Sequence, residues 1–285
     1  MRFLVAESEP RQAREARRES VGRSSGETYL KVLEALVPGA RCTRVKPADA
    51  GAELPSGEAL AGYDAVFLTG SPLHLYQETP ETRREVGFMQ AVFASGTPSF
   101  GSCAGLQLAT VAAGGRVRPG ARGREAGFAR RITPTDSGAG HPLLRGRPSP
   151  YDAPAVHTDE VEALPPGAVL LAANRLTRVQ AAEIRHGAGL FWGVQYHPEI
   201  SLAEVAGALR RQADDLIQDG LARSGEDVET YAAQVEALHR EPDRRDLAWR
   251  LGLDEEVTDV RRRTAELRNF IEHLVGPTRS ERGRG

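Results

Sequence analysis

Cysteine is scarce in this chain: Cys42 and Cys103 are the only two among 285 residues. Two cysteines give no disulfide framework, so a reducing, cytoplasmic setting is expected. Long apolar runs are also missing. No stretch approaches the length of a membrane helix. The opening run Met1–Ala6 is cut short by Glu7 and Glu9, too early for a signal peptide. A net charge of -2 argues against nucleic acid as the main partner. No cluster of His, Cys and Asp has metal-ligand spacing, so neither metal nor cofactor is expected. No G-x-x-x-x-G-K-[ST] phosphate loop is present. With 40% hydrophobic and 27% charged residues, what remains is an ordinary soluble globular chain, long enough for one large domain with an appendage.

The first hundred residues alternate apolar runs with helical patterns. Phe3-Leu4-Val5, Cys42–Val45, Ala65–Leu68 and Pro98–Phe100 read as strands, with Cys42 a small core residue. Ser25–Leu36, closed by Pro38-Gly39, and Glu81–Phe93 read as helices. The arginine-rich segment Arg11–Arg23 reads as solvated charge, with an anion-binding loop as the alternative. This alternation predicts an α/β fold with a mostly parallel central sheet flanked by helices, in which ligands bind beyond the carboxyl ends of the strands. From Gly115 to Gln195 short β-like runs follow one another, at Phe128–Ile132, Val169–Ala172, Val179–Ile184 and Leu190–Gln195. Beyond Ser201 the period becomes helical, through Val205–Leu216, Val228–Leu238 and a last stripe from Val260 to Leu274, with a break at Gly252-Leu253-Asp254. The expected organisation is a domain over 1–200, a helical C-terminal extension over 201–275, and a disordered tail over 276–285.

Chemistry concentrates at Gly101-Ser102-Cys103-Ala104-Gly105. The pattern G-x-C-x-G between a strand and a helix is a nucleophile elbow with cysteine in the serine position. Small neighbours permit the tight turn, and a helix N-terminus favours the thiolate. Taken alone, the same five residues also describe a glycine-rich turn around a buried cysteine. A nucleophile needs a base and an orienting group. His197-Pro198-Glu199, at the end of another apolar run, supplies both residue types, with Glu199 placed to fold back on the imidazole. Thr69-Gly70-Ser71-Pro72 is a turn at the end of the Ala65–Leu68 strand, on the same expected edge.

Pro98–Gln107 resembles the nucleophile segment of class I, triad-type glutamine amidotransferases, and Gly193–Glu199 resembles their His/Glu segment. His157-Thr158-Asp159-Glu160-Val161 with Leu164-Pro165 is similar to a segment of the GMP synthase amidotransferase domain and its stand-alone relatives. The resemblance covers residues 1–200 and implies a flavodoxin-like sheet. It implies Cys103 as nucleophile, His197 as general acid/base and Glu199 as orienter. It further implies backbone N–H groups of Ser71 and Ala104 as oxyanion donors, with Gly70 and Gln107 at the substrate. Ser71 stands where many relatives have glycine, and Ser102 where Ile or Val is common, a difference expected to affect packing more than chemistry. The implied activity is hydrolysis of the glutamine side-chain amide through a γ-glutamyl thioester. Ammonia would pass to a separate synthetase or acceptor chain, because the residues after Ser201 are too few for a synthetase domain. Two other readings stay open: a γ-glutamyl hydrolase or peptidase with the same triad, and a non-catalytic binding module.

His74 and Tyr76 border the turn after Ser71, with His74 expected at the surface. His157 and Asp159 suit the glutamine pocket, a contact with a synthetase partner, or a structural loop. His141 and His186 read as turn residues, and His239 and His273 as surface residues of the helical tail. The arginines between Arg116 and Arg131 read as a solvated face.

Overall fold

The computed structural model describes residues 1–284. Eleven strands are formed: β1 (Arg2–Ala6), β2 (Arg41–Val45), β3 (Ala65–Leu68), β4 (Ser99–Ser102), β5 (Arg116–Pro119), β6 (Glu125–Pro134), β7 (Tyr151–His157), β8 (Asp159–Ala163), β9 (Val169–Ala173), β10 (Ala181–His186) and β11 (Gly189–Val194). Up to the elbow the helices are α1 (Arg11–Val21), α2 (Ser25–Leu36), α3 (Gly57–Ala61), α4 (Pro80–Ser95) and α5 (Ala104–Ala112), with the single turn α6 (Asp136–Ala139) later. The C-terminal part holds α7 (Leu202–Arg211), α8 (Ala213–Gln218), α9 (Gly225–Arg240), α10 (Arg245–Leu251), α11 (Glu255–Thr258), α12 (Val260–Arg263), α13 (Ala265–Phe270), a π-helical turn (Ile271–Val275) and α14 (Gly276–Glu281). Among the described residues no helix is long and apolar enough to cross a membrane.

Nine strands make one sheet in the order β2-β1-β3-β4-β11-β10-β9-β6-β7, and β5 pairs with β8 separately. The five strands from β2 to β11 run parallel, and the remaining pairings are antiparallel. The expected α/β architecture with a largely parallel central sheet is what the chain forms. The parallel strands are covered on both faces, which is why β1 and β3 read as unbroken apolar runs. Helix ends follow local chemistry. Ser24 and Glu27 close a capping box on α2, Ser201 and Glu204 close one on α7, and Thr79 caps α4 ahead of Pro80.

Two expectations about charged segments are corrected. The Arg11–Arg23 region is the helix α1, mostly solvent-facing as expected, but with one arginine turned inward. Arg14 is buried there, donating to the Glu9 carbonyl at 2.5 Å and to the Asp49 carboxylate at 2.6 and 3.0 Å. The tail is also ordered: residues 276–281 are helical, and Gly285 alone lies outside the described residues. Arginine side chains hold it in place. Arg282 donates to the Gly96 carbonyl and Arg284 to the Ala61 carbonyl, both at 2.8 Å and both at the C-terminal ends of helices, where positive charge is favoured.

The region after residue 200 divides between two cores. Residues of α7, α9, α10 and α11, including Val205, Leu209, Val235, Leu238 and Val257, gather around Phe128 of β6. The segment from Leu267 to Val275 belongs instead to the core on one face of the main sheet. Phe270 sits 5.5 Å from both Phe67 and Phe100, ring centre to ring centre. Electrostatics reinforce the join. Buried Arg147 binds Glu266 at 2.7 and 2.8 Å, and Glu266 accepts from the Tyr196 hydroxyl at 2.7 Å.

Candidate active site

The strand ends of β3, β4 and β11 meet at Cys103. Glycines allow the approach. A Cβ on Gly101 would stand 2.8 Å from the Gly105 carbonyl carbon, and one on Gly105 would stand 2.7 Å from the Leu68 oxygen. Cys103 itself has φ +53° and ψ −112°, a left-handed conformation that a non-glycine residue adopts only when its surroundings enforce it. Its N–H donates to the Val194 carbonyl at 2.8 Å, so the neighbouring strand holds the turn. The side chain is thereby presented at the start of α5, with Sγ 3.9 Å from the Val156 carbonyl oxygen.

His197 is brought to the same place by β11 and by its own N–H, which donates to the Pro154 carbonyl at 2.7 Å. Nδ1 lies 2.7 Å from Glu199 Oε1. A carboxylate only accepts, so Nδ1 donates its proton to Glu199, and Nε2 is the nitrogen turned toward Cys103. Burial alone would lower the imidazolium's pKa. The facing charges of Glu199 and Cys103, with their hydrogen bonds, outweigh it and push His197 up to about 10. Gly70 closes the opposite side, since a Cβ there would lie 2.8 Å from His197 Cε1 and 3.7 Å from Cys103 Cβ.

Glu199 has a second donor, at a position where residue type alone points to packing. The Ser102 hydroxyl donates to the same Oε1 at 2.9 Å and in turn takes the Tyr29 hydroxyl at 2.7 Å. Burial first, and the Glu199 charge second, hold the Tyr29 phenol well above its ordinary pKa, so it remains a donor. The line Tyr29–Ser102–Glu199–His197 is therefore continuous and buried. Its one signal in the sequence is the hydroxyl at Ser102, in place of an expected aliphatic residue.

The other expected residues separate into two groups. Ser71 sits at the cavity beside Cys103, its hydroxyl donating to the Ser8 carbonyl at 2.8 Å and accepting from Leu73 N–H at 3.2 Å, which fixes the turn. Ala104 is the first residue of α5. Gln107 is placed differently: it is buried one turn into α5 and donates to the Asp159 carbonyl at 3.0 Å and to the Gln195 side chain at 3.3 Å. His157 lies in β7, where Nε2 meets Glu125 at 2.8 Å, and Glu125 also accepts from Asn174, Thr177 and Gln180. His74 bonds Asp159 at 2.7 Å. The arginine face is internally paired, Arg116 with Glu162, Arg118 with Glu160, Arg124 with Asp219 and Arg130 with Asp152.

A cavity of about 270 Å³ opens over Cys103. Cys103, His197, Gly70 and Ser71 form its floor, and α1 and α7 form its roof. The two roof helices lie so close that a Cβ on Gly207 would come within 2.2 Å of Val21 Cγ1. Arg17 of α1 pairs with Glu204 of α7 at 3.2 Å, and Arg211 of α7 reaches Ser20 at 2.5 Å.

Comparison with known proteins agrees with this architecture. The family model described as "Glutamine amidotransferase class-I" matches residues 28–212. A Pseudomonas protein named gamma-glutamyl-L-1-hydroxyisopropylamide hydrolase is 38% identical over 98% of this chain and 94% of its own length. A glutamine-hydrolysing GMP synthase subunit from Methanoculleus marisnigri is 33% identical over 52% of this chain and 72% of its own. Among solved structures, a glutamine amidotransferase from Thermotoga maritima superposes with a TM-score of 0.63 at 18% identity, over 96% of this chain and 98% of that one, a likeness of fold. The chain belongs to the class I glutamine amidotransferase family and is an enzyme of the amidotransferase or hydrolase kind.

Proposed function

We propose that this protein is a γ-glutamyl amide hydrolase that cleaves the amide of a small amine through Cys103, His197 and Glu199. The observation that carries the reading is the combination of a roofed cavity over Cys103 with near full-length similarity to a relative named as such a hydrolase. The Methanoculleus GMP synthase relative matches only 52% of the chain. A cavity of about 270 Å³ suits a small metabolite rather than a long peptide.

In this reading His197 already holds the proton as the imidazolium, consistent with its raised pKa, and Sγ attacks the γ-carbonyl carbon as the thiolate. The backbone N–H groups of Ala104 and Ser71 receive the oxyanion. His197 gives the proton to the amide nitrogen, the C–N bond breaks, and the amine departs, leaving a γ-glutamyl thioester. Water, activated by the imidazole left neutral in that step, releases glutamate and restores the thiolate beside the imidazolium. Glu199 holds the tautomer throughout. Glutamine, whose leaving group is ammonia, fits the same chemistry as the smallest such amide. Delivery of ammonia to a synthetase partner is the second reading, favoured by the similarity to the Methanoculleus GMP synthase relative.

The test is a substrate panel. Purified protein is given glutamine and γ-glutamyl amides of ethylamine, isopropylamine and 2-aminopropanol, with glutamate and free amine measured. Higher kcat/KM on the substituted amides is expected. Glutamine as the best substrate overturns the hydrolase reading in favour of an ammonia-delivering amidotransferase. Cys103→Ala is expected to lower turnover of every substrate by about 10⁴-fold or more without loss of fold, the scale set by removing a covalent nucleophile.

A further inference from the structure

At the amino-terminal edge of the parallel strands, opposite the edge that carries Cys103, arginines gather from both ends of the chain. We propose that Arg2, Arg41, Arg279 and Arg284 form a binding site for the phosphoryl group of a small phosphorylated metabolite. Arg2 opens β1 and Arg41 opens β2, and the two are register partners on adjacent parallel strands. Arg279 of α14 and Arg284 just beyond it reach the same place. With Asp64 they line a cavity of about 440 Å³.

One carboxylate faces these four guanidinium groups. Asp64 is only 7% exposed, and its Oδ2 already accepts from Arg2 N–H at 2.8 Å. Arg279 Nε and Arg284 Nη1 stand 3.8 and 3.7 Å from the carboxylate, close enough to feel its charge but too far to hydrogen-bond. The Arg2 guanidinium lies over the Tyr63 ring at 5.3 Å. The exposed Arg41 side chain has neither an ion pair nor a hydrogen bond among the described residues. Like charges set side by side on neighbouring strands repel. The contrast is with Arg116, Arg118, Arg124 and Arg130, each of which holds a carboxylate. In a chain of net charge -2, this hollow is a local inversion of sign, and a bound anion of more than one charge relieves it.

A phosphoryl group meets that requirement. It carries about two negative charges near neutral pH and three acceptor oxygens. Guanidinium groups bind such oxygens through bidentate forks. A lone carboxylate on a ligand would neutralise a single charge and leave the rest. The volume suits a small metabolite rather than a polymer. Such a ligand joins the C-terminal segment to the first two strands, so it is expected to stabilise the fold. Inorganic pyrophosphate and a nucleoside diphosphate share this chemistry.

The experiment is calorimetric titration of the full chain with pyrophosphate, a nucleoside diphosphate and citrate at one ionic strength, alongside thermal unfolding. Saturable pyrophosphate binding is expected, raising the unfolding temperature by several degrees at about a hundredfold excess over Kd. Arg41→Ala should weaken it on the order of tenfold, and Arg41→Ala with Arg279→Ala on the order of a hundredfold. Arg211→Ala, beside the catalytic cavity, should leave it unchanged. Tighter binding of the nucleotide, weakened by the same variants, keeps the site and assigns it to nucleotides. Equal affinities keep it and assign it to the phosphoryl groups alone. Citrate binding as tightly as pyrophosphate overturns the phosphoryl assignment. No saturable binding, binding that survives both arginine variants, or binding lost in Arg211→Ala overturns the site. Arg41 has no side-chain partner to lose, so should the double variant fail to fold, Arg41→Ala alone decides.

Discussion

The floor and the roof of the cavity are held together by different forces. The floor rests on excluded volume and backbone geometry. Gly70, Gly101 and Gly105 each stand where a methyl group would collide within 3 Å, and Cys103 is kept at φ +53° by the strands around it. The roof rests on helix contact and on polar pairs, Arg17 with Glu204 and Arg211 with Ser20, between elements far apart in sequence. A floor of this kind tolerates almost no change, because each atom added must displace backbone. Side-chain pairs, even one as largely buried as Arg17 with Glu204, can be exchanged for other packed side chains without displacing backbone. On the proposed acyl-transfer reading, the difference teaches how the centre can be kept while the group it releases changes.

The sharpest way to break this contrast is at the floor. Gly70→Ala should push the His197 ring aside and lower kcat on the order of 10²-fold, the cost of misplacing a catalytic group by about 1 Å, with little change in thermal stability. Retained kcat would show that the floor is more compliant than its geometry implies.

Next in size is a pH effect. His197 titrates at about 10 in the folded chain, above the ordinary 6.5. A raised histidine pKa stabilises fully below 6.5, and that contribution is lost as pH rises through about 10. Glu199→Gln removes the leading favourable cause of the shift. Its unfolding free energy should therefore fall less steeply between about pH 7 and 10 than that of the wild type, by about 1–3 kcal/mol over the interval. Urea titrations across that range measure it, and parallel curves would detach Glu199 from the shift.

A smaller loss is expected along the buried line behind Glu199. Ser102→Ala should lower kcat about tenfold with KM little changed, the worth of one charge-assisted hydrogen bond. Tyr29→Phe should cost less, and the double variant no more than Ser102→Ala alone, since Tyr29 acts through Ser102. Additive losses would separate the two hydroxyls. The least effect on turnover belongs to the roof. Glu204→Gln should change kcat little, while thermal stability falls by several degrees because the largely buried Arg17 loses its counter-charge. A drop in kcat as large as a floor substitution gives would erase the distinction.

Legibility follows the same division. β1, β3, α2, α4 and the elbow can be read because their signals are local: apolar runs, capping residues and glycines beside the nucleophile. The Cys103, His197 and Glu199 positions are legible as residue types at strand ends, and the structure brings His197 and Glu199 into contact. Ser102 escapes a sequence reading because its partners lie 73 and 97 positions away, and nothing beside it marks a hydroxyl as bonded. Arg14 escapes for the same reason, since Asp49 lies 35 positions distant. The His157 and Asp159 segment belongs to β7 and β8, whose strands carry Asp152, Pro154 and Glu162 and so lack the alternation that announces a strand. The tail looks disordered from composition, yet arginines without partners nearby in sequence can cap distant helices.

The bond from Tyr196 to Glu266 couples the centre to the far end of the chain. The residue before His197 is anchored by a carboxylate 70 positions later, which is itself gripped by Arg147. During synthesis the strand carrying the imidazole emerges well before its anchor. A nascent chain therefore holds Cys103, His197 and Glu199 while lacking the fastening that steadies the segment carrying His197. A chain cut before Glu266 is therefore expected to hold the His197 segment less firmly, which residual activity of such a truncation would measure.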